Sequence, residues 1–503
     1  MTEQGAARRI VRGGRWLAAG TAHLASAGTH LAVAGSRVAV SGLRAGLSKL
    51  EQLRGRVDSA DGGADGSTSA AAVPIAPPAP GCRIVVDARA LQDPDRAPTT
   101  AIYLEALLGA YAARPHTGES FRFIVQAGMP DADLRRYGLP EGGERAVPPT
   151  RLLRAAAPSF EPFILRVAAT GLAIGAERSG AAGTLFHGIG GALPIASGMP
   201  VVSTLLDLAP WELPGLYQRT PAARFTQRLR AQLLCEAAVV VVGSEATAVA
   251  ASRLLHIPRE RMRVVPLAPR DAFRPLANDS ERAEAALELR RLGLEGRHLV
   301  FTGRFEARQD LRTLLAALAR LAATARPAGL DPSVSWPPRV LLVGAGLEDR
   351  RGVARIAARE GVAELVSYAP QLEPERLARV IASARATILP ALSESAGLPA
   401  IESIACGTPV VAAAVGALPG IVGPAGILVE PRDPDRLAVA LSAIWSDDGV
   451  HHSVAAAALE RGRIDRRSWS DVADEMRRIY ADAVAEPVDW QQPGDRQQPV
   501  DPQ

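Results

Sequence analysis

The sequence predicts an α/β protein made of two successive doubly wound units, each a parallel sheet between helices, with a low-complexity helical arm in front. Three observations carry this. Short apolar runs alternate with helical stretches from Arg83 to Leu267, and the alternation restarts at Leu299 and continues to Val484. At 503 residues the chain is too long for a single core. With 48% of its residues apolar, it has enough material to bury two.

Charge and composition narrow the class. The net charge of +4 is unevenly placed, because nine Arg and Lys face only two acids before Val57. The rest of the chain is therefore slightly acidic, which argues against a nucleic-acid binder. Lys49 is the single lysine, so any cation that binds phosphate in the body must be arginine. Cys82, Cys235 and Cys406 are scattered, odd in number and without metal spacing, as expected of reduced thiols in a cytoplasmic protein. Neither a membrane span nor a cleavable signal stands out. The triplets Asp93/Asp95, Asp131/Asp133 and Asp433/Asp435 follow no apolar strand, so they read as turn chemistry and no metal site is expected.

Residues 1–57 form the arm. Leu17, Leu24, Leu31 and Val38 recur every seven residues, as do Gly28, Gly35 and Gly42, with Arg8, Arg9, Arg12 and Arg15 ahead of them. Such a stretch reads either as a membrane-surface or self-association helix or as a poorly ordered low-complexity extension. Residues 58–81 are a Gly/Ser/Ala/Pro linker. The first unit, 82–275, opens on the strand Arg83–Asp87 and the helix around Tyr103–Tyr111. Strands follow near Phe121–Gln126, Leu185–His187, Val201–Thr204, Ala238–Val242 and Arg263–Leu267, with a helix capped by Ser244. His187, at a strand end, is expected to bond a backbone carbonyl. The second unit, 276–468, has strands at Leu299, Val340, the LVSYA stretch and Thr387, and a helix capped by Asp310. A last helix spans 469–485, and the tail 486–503 is too polar and proline-rich to fold.

The richest stretch runs from Ala386 to Ala413. A short strand breaks at Pro390, a loop of small residues follows, and a helix opens near Pro399 and stops at Gly407. A strand, a small-residue loop and a helix N-terminus favour a phosphate through backbone N–H groups and the helix dipole. Glu394 and Glu402 bracket that site, and a carboxylate can accept two hydrogen bonds from a vicinal diol.

The segment ESAGLPAIESIACGTPVV resembles the signature of the retaining family 4 glycosyltransferases, and further stretches match that family in order from Arg83 to Val484. The resemblance implies two facing Rossmann-like domains, the GT-B arrangement. Residues 82–275 would take the acceptor, 276–468 the nucleotide sugar, and the last helix would cross back to the first domain. It implies Glu394 on the donor sugar, Glu402 on the ribose, and Gly303, Arg304, Arg308, Gln309, Ser395, Ala396, Gly397 and Leu398 around the diphosphate. Asp207 would stand beside the reacting sugar, and no cofactor or metal would be needed. Four positions depart from the family: Gln309 replaces a lysine, Leu206 a histidine, Pro98–Ile102 a glycine-rich loop, and Gly420 a glutamate. The expectation is a metal-independent hexosyltransferase, cytoplasmic or peripheral on the inner membrane face, with a carbohydrate or lipid-linked acceptor. The competing reading is a catalytically impaired scaffold.

Overall fold

The computed structural model describes residues 82–129, 132–138, 141–147, 157–174, 183–195, 197–344 and 346–485. The arm, the linker as far as residue 81 and the tail after residue 485 lie outside the described residues, as does Asp131 of the second Asp-x-Asp triplet. All described residues belong to one compact unit, Ala76–Gln503.

The first sheet has seven strands: β1 (Arg83–Asp87), β2 (Ser120–Gln126), β3 (Glu141–Val147), β4 (Thr184–Ile189), β5 (Val201–Leu205), β6 (Val239–Val242) and β7 (Met262–Val264). All pair in parallel, in the order β3-β2-β1-β4-β5-β6-β7. A parallel sheet covered on both faces needs strands that are apolar throughout, and β1, β5 and β6 are buried at every position. The long helices between them are α1 (Pro98–Ala113), α2 (Ala157–Ile174), α3 (Pro221–Glu236) and α4 (Glu245–Leu255). Ser244 caps α4 by accepting from the Thr247 N–H at 3.1 Å, and His256 closes it in the left-handed conformation.

The second half starts with α5 (Asp279–Arg291). It then runs β8 (Leu299–Thr302), α6 (Leu311–Ala322), β9 (Val340–Val343), α7 (Leu347–Arg359), β10 (Val366–Ala369), α8 (Pro374–Ala382) and β11 (Ala386–Leu389). After these come α9 (Leu398–Ala405), β12 (Val410–Ala413), α10 (Leu418–Val422), β13 (Gly426–Val429), α11 (Pro434–Ser446) and α12 (Asp448–Ile464). The six parallel strands follow the order β10-β9-β8-β11-β12-β13. The amphipathic α6 buries Leu311, Leu314, Leu315, Leu318 and Leu321 against β8 and α11, around a fully buried Trp445. The last helix, α13 (Trp469–Ala485), packs against α1 within the core of the first domain.

Some local expectations change. Asp310 is left-handed (φ 45°), so its carboxylate takes the Thr313 hydroxyl at 2.7 Å and caps no backbone N–H of α6. The strand expected over Arg263–Leu267 is the shorter β7, whose pairing with β6 ends as Val265 N–H donates to Val242. The sequence reading assigned neither β3 nor α12. The Glu/Gly-rich β3 has poor strand propensity, and α12 buries only Val454 and Ala458. Among the described residues no helix is long and apolar enough to cross a membrane.

Candidate functional site

Each sheet reverses its strand order once, between β1 and β4 in the first and between β8 and β11 in the second. Loops leaving the carboxyl ends of neighbouring strands diverge at such a point and open a crevice. Gly303–Gln309 follows β8, Pro390–Gly397 follows β11, and Leu206–Leu208 follows β5, so most of the candidate residues gather at these ends.

The loop after β11 is held by its own acid. Glu394 Oε1 accepts from the Gly397 N–H at 3.0 Å, which fixes the turn into α9. Gly397 is left-handed (φ 66°), and a Cβ there would lie 2.2 Å from Ile421 Cδ1. Behind the loop, the Glu394 carbonyl accepts from the Ala417 N–H at 2.9 Å. Gly416 (φ 52°) permits that approach, since a Cβ on it would sit 2.1 Å from the same carbonyl oxygen. Both turns therefore require glycine.

Ser395 ties the loop to the first domain. Its hydroxyl accepts from the Leu208 N–H at 3.0 Å and its carbonyl accepts from Thr247 Oγ1 at 3.0 Å. The Ser393 hydroxyl donates to Glu212. Ala396 is buried in the core of the first domain together with Leu206, the residue at the histidine position of the resemblance. Leu398 is buried at the first position of α9.

The cations come from the loop after β8. Arg308 Nη1 donates to the Ser393 carbonyl at 3.2 Å and lies 3.8 Å from Glu394 Oε2, while Nε lies 3.4 Å from Glu306 Oε2. Burial alone would lower the Arg308 guanidinium, but the charges of Glu394, Asp207 and Glu306 outweigh it and raise it. Arg304, 41% exposed, pairs with Glu306 at 2.9 Å and donates to the Arg96 carbonyl at 2.8 Å. Gln309 is buried at the end of a single 3-10 turn, and Gly303 approaches the turn after β9. Asp207 accepts from the Ala209 N–H at 2.9 Å.

Glu402, on α9, is buried and engaged. Arg270 Nε reaches Oε1 at 2.6 Å and Nη2 reaches Oε2 at 3.1 Å. Burial pushes the Glu402 carboxyl up, and the guanidinium pulls it partly back.

Thus Glu394, Arg308, Asp207 and Ser395 are brought together, Arg304 stands at the rim, and Glu402 is paired with Arg270. Sequence reasoning missed Glu306, Glu212, Tyr217 and Arg270. Tyr217 donates to Glu306 at 3.3 Å, and burial together with the Glu306 charge pushes its hydroxyl up to about 12. The signal for three of them was that Glu212, Arg270 and Glu306 lie inside stretches that match the family. Among the described residues no group of three His, Cys, Asp or Glu is placed to hold a metal ion.

Two facing parallel sheets with a crevice at their switch points define the GT-B class. The solved sucrose-phosphate synthase from Thermosynechococcus elongatus has the same fold, with a TM-score of 0.61 and 22% identity over 80% of this chain and 99% of that one. Residues 296–447 match the family model Glycosyl transferases group 1. The D-inositol 3-phosphate glycosyltransferase of Acidothermus cellulolyticus is 36% identical over 236 residues, 45% of this chain and 49% of the relative. Its counterpart in Nocardioides sp. is 33% identical over 309 residues, 58% of this chain and 63% of the relative. The chain thus spans between about half and just under two thirds of the curated relatives it matches.

Proposed function

We propose that this chain is a retaining, metal-independent glycosyltransferase. It would move a hexose of the mannose or glucose type from a nucleotide-diphosphate donor to a glycan, lipid-linked or small-molecule acceptor. The observation that carries the reading is the Glu394-to-Glu402 loop and helix at the switch point, apposed to Asp207 and Arg308. Chemistry in such a cleft is mostly electrostatic. Arg304, Arg308 and the N–H groups of Ala396, Gly397 and Leu398 stabilise the departing diphosphate, the Gly397 N–H once Glu394 Oε1 releases it. Glu394 orients the sugar hydroxyls, and the acceptor attacks from the face the diphosphate leaves. The likeness to inositol 3-phosphate glycosyltransferases supports a small phosphorylated polyol among the acceptors to try first. The protein would work in the cytoplasm without a cofactor, at the inner membrane face if the arm anchors it.

A second reading, an impaired scaffold, has its own observation. Arg308 already faces Glu306, Glu394 and Asp207, Arg304 faces Glu306, and Glu402 is taken by Arg270. A diphosphate must displace carboxylates to reach either arginine near β8. Thermal shift with GDP, UDP and ADP separates the two readings. A transferase is stabilised by one of the three, by about 2.7 kcal/mol at a hundred times its Kd. If none raises the Tm and none gives heat by calorimetry at millimolar concentration, the transferase reading fails and the scaffold remains.

A further inference from the structure

Arg270 lies in the connector between β7 and α5, in neither sheet, and its guanidinium reaches Glu402 on α9. It grips both oxygens of Glu402, at 2.6 and 3.1 Å, and the Glu402 side chain is left only 4% exposed. The guanidinium also lies over the Phe273 ring, 4.8 Å from its centre, and Phe273 is buried in the core beneath α5 and α8. A forked guanidinium–carboxylate pair is among the strongest side-chain pairings, and here an aromatic face supports it from a second side.

The proposed function, on which this inference rests, asks the same carboxylate to accept two hydroxyls from a ribose. Each oxygen already has a donor, and almost none of the carboxylate is open to an incoming diol. We propose that Arg270 is the specificity-determining residue of the nucleotide subsite. It holds Glu402 until nucleotide arrives, and a nucleotide binds only when its 2′,3′-diol takes over both oxygens from the guanidinium. Two donors must be replaced at once, so a sugar that lacks the diol leaves a buried carboxylate unsatisfied. Part of the gross ribose interaction is therefore consumed in releasing Arg270, and the wild-type chain binds nucleotide more weakly than its contacts alone would give.

The test is calorimetry of the full chain with GDP, UDP and ADP and with their 2′,3′-dideoxy counterparts. The proteins are wild type, Arg270→Gln, which removes the charge and the fork, and Arg270→Lys, which keeps the charge without the fork. The melting curve of each variant is recorded alongside. The expected result is that Arg270→Gln binds the preferred ribonucleotide at least about tenfold tighter than wild type, with Arg270→Lys between them. The gain should vanish for the dideoxy form. If Arg270→Gln does not fold, the same sign of change in Arg270→Lys carries the test. Equal or weaker binding by the variants, or a gain that persists without the diol, overturns the role of Arg270 and leaves the nucleotide reading standing. If no protein binds any of these nucleotides, the nucleotide reading falls and this inference falls with it.

Discussion

His187, in β4, is 1% exposed with both ring nitrogens engaged, Nε2 with Thr204 Oγ1 and Nδ1 with the Tyr480 hydroxyl, each at 2.8 Å. Tyr111 donates to Tyr480 at 3.1 Å, so the imidazole joins a buried chain of hydroxyls. The sequence led us to expect a backbone carbonyl here. The actual partners lie 17 and 293 residues away, beyond what local pattern can reveal. Burial pushes the imidazole down to about 3. The unfolded chain takes up this proton near 6.5, so the contribution of His187 to stability is complete above that pH and is lost as pH falls from there towards 3. His187→Gln should therefore lower the Tm at neutral pH, and its gap to wild type should narrow on acidification to about pH 5, read by circular dichroism. Parallel Tm–pH profiles would contradict this. The site residues divide the same way. The bond from Gly397 to Glu394 stays within one loop, whereas the bond between Glu402 and Arg270 spans 132 residues.

Among the elements, α13 is amphipathic along its length. Trp469, Val472, Ala473, Met476, Ile479, Tyr480 and Ala483 recur at helical spacing and are buried. The surface that receives them is α1, where Trp469 meets Tyr103 edge-on at 5.4 Å between ring centres. Arg477, 8% exposed, fastens the helix by gripping Glu119 with Nε at 2.7 Å and Nη2 at 3.1 Å, and by donating to the Arg114 carbonyl at 2.6 Å. Removing one partner of a buried pair leaves the other uncompensated, so Arg477→Met should cost about 3–5 kcal/mol in a denaturant melt. Arg463 pairs with Glu460 at the surface, and Arg463→Met should change stability by less than about 1 kcal/mol. Equal losses would show that burial does not set the weight of these pairs. The helix α9 depends on its neighbour in another way. Gly416→Ala drives a methyl group into the Glu394 carbonyl, so it should displace the loop after β11 and reduce donor turnover more than it lowers the Tm. A variant with full turnover would remove Gly416 from that role.

At the scale of the molecule, two sheets were legible because parallel strands announce themselves as short apolar runs, and the restart at Leu299 marks the second. Less legible was how tightly the strand ends meet. Ser395 bonds Leu208 and Thr247, Arg304 bonds Arg96, and Tyr217 bonds Glu306 across the crevice. These are polar contacts between segments far apart in sequence, with no periodicity to betray them. The central claim is that this charged crevice still expels a diphosphate from a hexose. The most direct measurement is the rate of nucleoside-diphosphate release from GDP-, UDP- and ADP-hexoses, with and without polyol acceptors, by wild type and by a variant carrying Arg304→Met and Arg308→Met. The account predicts turnover of one donor by wild type and a loss of about 100-fold or more in the variant, the usual cost of removing such electrostatic support. Release from no donor by wild type, or equal rates in the two proteins, would contradict it.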